Sequence, residues 1–159
     1  VAPGADGEIG ARGPGMFLGY ADREQTREAH TSDGYFLTGD IGHVTAEGAV
    51  VITDRKKDLI IRGGENLSAK EIENVLHRHP GVKEAAVVSM PHERLGEGVC
   101  AFVISAGSEP PSSKELSAFA EEHSLARQKI PERYEFVDDL PRTAAGKVRK
   151  DRLRKQLWR

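Results

Sequence analysis

The chain has a single cysteine, Cys100, in 159 residues. That excludes a disulfide framework and any metal site built from several thiolates, and it fits a reducing compartment. No apolar run approaches the roughly 20 residues that a membrane-spanning helix needs. The start also lacks a basic stretch followed by an apolar one, so no secretory leader is read there. Neither sign of charge prevails: 23 Lys and Arg stand against 25 Asp and Glu, which excludes a uniformly basic nucleic-acid coat. What is present, 38% hydrophobic and 30% charged residues, suffices for a buried core. These features predict a soluble cytoplasmic protein with no transmembrane segment.

The near-neutral balance hides an asymmetry. Lys147 to Arg159 carries seven basic residues and one acid, a net of +6, and the formal total of -2 leaves -8 on the other 146 residues. A basic end on an acidic body points either to an anionic ligand or partner, or to a solvated helix face. Apart from Trp158 no aromatic accompanies it, so base stacking has no support and no nucleic-acid partner is expected.

Glycine is abundant, 17 residues in all, and crowds the first two thirds of the chain. Residues 1–34 read as short strands and turns, with a polar stretch at ADREQTREAH that suits a helical turn. IGHVT and AVVIT, separated by Glu47-Gly48, read as a hairpin, with DLIIR as a further short strand. The chain opens at Val1 without a methionine, and its first 54 residues are too turn-rich to close a core alone. From residue 62 onward helices and strands alternate. Ser68-x-x-Glu71 and Ser112-x-x-Glu115 are capping boxes. The first opens a helix with Ile72, Val75 and Leu76 on one stripe, stopped at Pro80-Gly81; the second opens one with Leu116, Phe119 and Ala120 inward. EAAVVSM, VCAFVIS and RYEFV are strand candidates, and residues 149–158 a last basic helix. The fold class is therefore α+β: a small domain of two helices over a mixed sheet, residues 55–159, preceded by a β-rich segment, residues 1–54.

Three segments have residues suited to chemistry. In YFLTGD, Asp40 ends a strand beside Gly39, where its carboxylate either satisfies its own turn or accepts hydrogen bonds from a cis-diol such as a ribose. In DRKKDLIIRGGENLSAKEIE, Gly63-Gly64 either makes a tight strand-to-helix turn or leaves bare backbone along which an extended ligand runs. In LPRTAAGKVRK, Lys147 sits in small residues on a mobile loop, either an ordinary exposed lysine or a charge reaching for an anion. Gly146-Lys147 is not a P-loop, since Val148 stands where Ser or Thr is required. The six histidines form no ligand set, no metal site is expected, and Cys100 lies in an apolar strand as an inert thiol.

The ordered series GEIGARGPGMFLGY, DGYFLTGD, ITDRKKDLIIRGGENLSAKEIE, PHERLGEGVCAFV and LPRTAAGK resembles the C-terminal part of the acyl-adenylate-forming enzymes. These comprise acyl-CoA synthetases, the adenylation domains of peptide synthetases, and luciferases. RKKDLIIRGGEN and QKIPE are most similar to medium-chain fatty-acid or cyclohexanecarboxylate-type CoA ligases. The resemblance implies a C-terminal lid domain following the last subdomain of a large N-terminal domain, with the hinge near residues 55–57. It also implies an AMP-forming ligase: a carboxylic acid and ATP give an acyl-adenylate and pyrophosphate, and coenzyme A then takes the acyl group and releases AMP.

Carried over by position, Asp40 would hold the ribose hydroxyls, Arg55 the ribose or phosphate, and Lys147 the substrate carboxylate and α-phosphate together. Lys57 would be the hinge on which the lid turns between half-reactions. Gly63 and Gly64 would face the pantetheine arm of coenzyme A, and Lys129 would contact a coenzyme A phosphate. PRTAAGK also resembles a site of regulatory acetylation, which makes a lysine acetyltransferase and deacetylase expected partners at Lys147. The phosphate-binding loop, the acyl pocket and the Mg2+ ligands of such enzymes are absent, so the chain is expected to be a C-terminal fragment, inactive without the remaining N-terminal domain. Asp54 stands where many bacterial ligases have Gly, and His92 where Asp often follows Met-Pro. Two other readings remain open: an adenylation domain that loads a carrier protein, and a non-catalytic binding module that kept the lid fold.

Overall fold

The structure, a computed structural model, describes residues 4–158. Val1, where the chain opens, and Arg159, the last cation of the basic end, lie outside the described residues. The chain divides into two compact units, one reaching Lys57 and the other beginning at Asp58.

In the first unit, β1 (Gly7–Ala11), β2 (Phe36–Val44) and β3 (Val50–Arg55) form an antiparallel sheet in the order β1-β2-β3. A short helix, α1 (Arg23–Glu28), intervenes, and the Asp22 carboxylate caps it by accepting from the Glu24 N–H at 2.8 Å. The expected strand end at Asp40 is not there. β2 runs on through Asp40, and the register against β1 shifts between Gly10↔Leu37 and Glu8↔Ile41. The extra residues form a bulge in which Gly39 takes a φ of 74°. Glycine adopts that conformation without steric cost, so the strand bends and continues.

The second unit is built on a mixed sheet. β4 (Ile60–Arg62), β5 (Glu65–Leu67), β6 (Val82–His92), β7 (Gly96–Ser105) and β8 (Arg133–Phe136) lie in the order β5-β4-β7-β6, with β8 parallel to β7. β6 and β7 are apolar runs because both of their faces are covered. Ala85, Val87, Val99, Ala101 and Val103 point to one cluster with α2 (Ala69–Leu76) and α3 (Ser113–Glu122). Their alternates Ala86, Val88, Cys100, Phe102 and Ile104 point to a second cluster with Leu140 and with Leu153 of α4 (Lys150–Leu157). The expectation of two helices over a sheet therefore needs correcting: a third helix covers the opposite face. With only Leu153 buried on it, α4 carries too thin an apolar stripe to announce this. Both expected serine caps are in place, Ser68 accepting from Glu71 N–H and Ser112 making the full reciprocal box with Glu115.

β6 is the edge of this sheet, and side chains close it. Ala85 N–H donates to His77 Nε2 at 3.0 Å and Val87 N–H to Glu73 Oε1 at 2.8 Å, while Trp158 Nε1–H donates to the Ser89 carbonyl at 3.3 Å. Glu73 is only 6% exposed, and its carboxylate is balanced by Lys150 Nζ at 2.7 Å. A buried carboxylate is costly unless charge and hydrogen bonds both compensate it, and here both do. Glu73→Ala is expected to destabilise the second unit by about 3 kcal/mol, read from urea unfolding followed by Trp158, the only tryptophan. A loss below about 1 kcal/mol would mean that other groups close this edge.

Candidate functional site

Each unit holds part of the expected site. In the first, adjacent strands place Asp40 of β2 directly opposite Arg55 of β3. Arg55 Nε forms an ion pair with Asp40 Oδ1 at 2.9 Å, and Asp40 N–H donates to Thr38 Oγ1 at 3.1 Å. The bulge at Gly39 thus sets the carboxylate against the guanidinium with one oxygen engaged. Arg55 N–H donates to the carboxylate of the buried Asp54 at 2.6 Å. A 3-10 turn, Lys56–Asp58, spans the junction between the two units and contains Lys57.

Gly63 and Gly64 do not make a strand-to-helix turn. They form the two-residue turn of a β4–β5 hairpin, with Arg62 paired to Glu65 and φ of 59° and 87° at the two glycines. Positive φ at both central residues is what a two-residue hairpin with the right-handed strand twist requires. Gly63 N–H also donates to the Leu95 carbonyl at 2.9 Å, joining this turn to the β6–β7 connection. There His92 serves as a cap: its Nδ1 accepts from the Arg94 and Leu95 amides, each at 3.2 Å. Beside it, Glu132 takes Arg62 Nη2 at 2.6 Å and the Val99 N–H at 3.1 Å. Gly98 has no Cβ because that Cβ would collide with the Glu132 carboxylate. The sequence reading quoted Glu132 only within QKIPE and gave it no role; its other trace was Gly98 on the neighbouring strand β7.

Lys129 is engaged. Its ammonium reaches both Glu71 carboxylate oxygens, at 2.8 and 2.6 Å, so an incoming phosphate would compete with Glu71.

Lys147 is not on a loose loop. Residues 141–149 fold back as a small hairpin: Arg149 N–H donates to the Pro141 carbonyl at 2.7 Å, Thr143 N–H to the Lys147 carbonyl at 2.8 Å, and Gly146 N–H to the Thr143 carbonyl at 2.9 Å. Lys147 N–H donates to Thr143 Oγ1 at 3.2 Å, and Gly146 turns the chain at a φ of 81°. Leu140 and Val148 root the two arms in the second core cluster. The tip is exposed, and the Lys147 ammonium has no ion-pair partner among the described residues. Its basic neighbours differ: Arg149 pairs with Asp151 at 2.8 Å, Lys150 with Glu73, and Arg154 with Asp58 at 3.1 Å. Three of the six described cations that suggested an anionic partner are thus met within the fold.

Among the described residues no group of His, Cys, Asp and Glu is arranged to hold a metal, and no helix is long and apolar enough to cross a membrane. The structure leaves Asp40–Arg55 in one unit and the Gly63-Gly64, Lys129 and Lys147 features in the other.

Residues 71–147 match the AMP-binding enzyme C-terminal domain family. The whole chain is 43% identical to 28% of the medium-chain fatty-acid–CoA ligase of Escherichia coli K12. Nearly all of it, 99%, is 46% identical to 29% of the 2,3-dihydroxybenzoate-AMP ligase of Bacillus subtilis 168. Among solved structures, ATP-bound MatB from Rhodopseudomonas palustris superimposes with a TM-score of 0.91 at 39% identity, covering 98% of this chain and 31% of that one. The chain therefore spans under a third of the length of these relatives.

Burial raises the Cys100 thiol to about 12, with the Glu135 carboxylate adding to the shift. A group so raised stays protonated throughout the neutral range, and only the thiolate is nucleophilic. Iodoacetamide at pH 8 is expected to leave the native chain unlabelled and to label it stoichiometrically in urea, as read by intact mass. Fast labelling of the folded chain would contradict the core assignment of Cys100.

Proposed function

Because the chain carries the C-terminal domain of the AMP-binding enzymes, an adenylate-forming ligase domain with CoA ligases and acyl- or aryl-AMP ligases as homologues, we propose that it is the lid end of an AMP-forming acyl-CoA ligase. In this reading a carboxylic acid and ATP give an acyl-adenylate and pyrophosphate, and coenzyme A displaces AMP to give the thioester. The observation that carries it is the lone Lys147 ammonium, exposed at the tip of a hairpin whose backbone is fixed by Thr143.

Two anions, the substrate carboxylate and the α-phosphate, must meet in the first step. A lysine ammonium placed between them lowers the cost of that approach, the more so where water is excluded. Asp40 accepts the ribose hydroxyls through the oxygen that Arg55 leaves open, while Arg55 is placed to contact the ribose or phosphate. The Mg2+ that accompanies ATP would take its ligands from residues outside this chain. Lys57 is the hinge, and its turn withdraws Lys147 and brings the Gly63-Gly64 hairpin to the pantetheine arm. Lys129 leaves Glu71 for a coenzyme A phosphate. Acetylation of Lys147 by a lysine acetyltransferase would remove the charge that the first step needs, and a deacetylase would restore it. The chain is a C-terminal fragment of a cytoplasmic enzyme in this reading, and the remaining N-terminal domain supplies the acyl pocket.

A second reading, transfer to a carrier-protein thiol, is favoured by the 44% identity, over 99% of this chain, to the fatty acid–[acyl-carrier-protein] ligase ScoC of Streptomyces coeruleorubidus. Comparing free coenzyme A with a phosphopantetheinyl carrier as acceptor separates the two.

In the complete protein, Lys147→Ala is expected to lower adenylation about 100-fold or more, measured by acid-dependent pyrophosphate exchange. Thioester formation from supplied acyl-adenylate should change little. Equal loss of both half-reactions would remove the role given to Lys147, and steep salt-dependent nucleic-acid binding with no adenylation would favour a binding module instead.

A further inference from the structure

Leu140 and Val148 root the arms of the Lys147 hairpin in the core, and a polar side chain, Arg142, ties its far end to the sheet. Arg142 lies across the hairpin from Val148 in an isolated β-bridge. Its guanidinium forks: Nη1 donates to the Gly146 carbonyl at 3.1 Å, and Nη2 donates to Glu84 Oε2 at 2.5 Å. Glu84 belongs to β6, where it pairs with Ile104 of β7. One planar group thus links the peptide immediately before Lys147 to the edge strand β6.

We infer that Arg142, held by Glu84, is a positioning residue that sets the direction in which Lys147 is presented. The inference rests on the role proposed for Lys147. The geometry suits such a task. Thr143 closes the turn upon itself, but a turn closed only on itself can still swing about its two arms. A contact from its far side to β6 removes that freedom. The Arg142–Glu84 pair is partly solvent-accessible, 36% and 29% by side chain, and pairs that solvent reaches add little to global stability. Its effect is therefore local. A lysine could reach Glu84 but could not also hold the Gly146 carbonyl, because it lacks the rigid fork.

The test has two arms. In the 159-residue chain, hydrogen exchange read by NMR is expected to be about tenfold faster at the Gly146 and Lys147 amides in Arg142→Gln and Glu84→Gln. The Val87 and Ala101 amides should keep wild-type rates. In the complete protein, both variants should lower the kcat of adenylation by about tenfold to 100-fold with KM for ATP nearly unchanged, and spare thioester formation from supplied acyl-adenylate. Arg142→Lys should fall between, and the double variant should lose no more than the worse single one. Unchanged exchange at Gly146 and Lys147, faster exchange throughout the sheet, or equal loss of both half-reactions would each overturn the inference. If Lys147→Ala abolishes adenylation while the Arg142 and Glu84 variants keep it, only the positioning role fails. If Lys147→Ala itself keeps adenylation, the reading of Lys147 fails and takes the positioning role with it, whatever the exchange rates show.

Discussion

The Glu73 carboxylate is the contact on which the second unit most depends. It projects from α2, accepts the Val87 N–H of the edge strand and receives the Lys150 ammonium from the first turn of α4. The helices α2 and α4 pack on opposite faces of the sheet, so this edge is where the two meet. A carboxylate can accept from backbone and ammonium at once, which no apolar side chain can do. The same group closes a strand edge that would otherwise invite pairing with another chain. It also fixes the start of the helix that follows Lys147.

Half of the described cations in the basic end are settled locally. Asp151, Glu73 and Asp58 each take one of its cations. A count of charges along the sequence treats those cations as alike, whereas the fold distinguishes them sharply. Partnered cations locate α4, and Lys147 remains available. Electrostatic attraction for an anionic ligand is thereby left to Lys147 at the hairpin tip and to the exposed Arg152 and Lys155 on α4.

The strands β6, β7 and β8 and both serine-capped helices were legible because each rests on a local signal: an apolar run, or a cap three residues from its acid. The placement of α4 was not, since Leu153 and Leu157 give too sparse a stripe to choose a face. The bulge at Gly39 hid within a run that reads equally well as a strand end. β5 was missed because its three residues, Glu65–Leu67, are too few to show alternation. Asp40, Arg55, Lys129 and Lys147 were singled out by the family resemblance, but their partners were not. Glu71 lies 58 positions from Lys129, and Glu84 the same distance from Arg142. Nothing local in a sequence marks a pairing of that span; only the sheet brings such residues together.

The β4–β5 turn has a further consequence. A Cβ built at Gly64 would meet nothing within 4 Å, yet the backbone there has a φ of 87°. The demand at this position is one of handedness and not of room. A mirror-image residue satisfies it: D-alanine introduced by chemical ligation would sit there unstrained and would narrow the unfolded ensemble. L-residues are strained at the same point by about 1–2 kcal/mol, Asn and Asp least. Substitution at position 64 is therefore penalised by chirality alone, although solvent surrounds it.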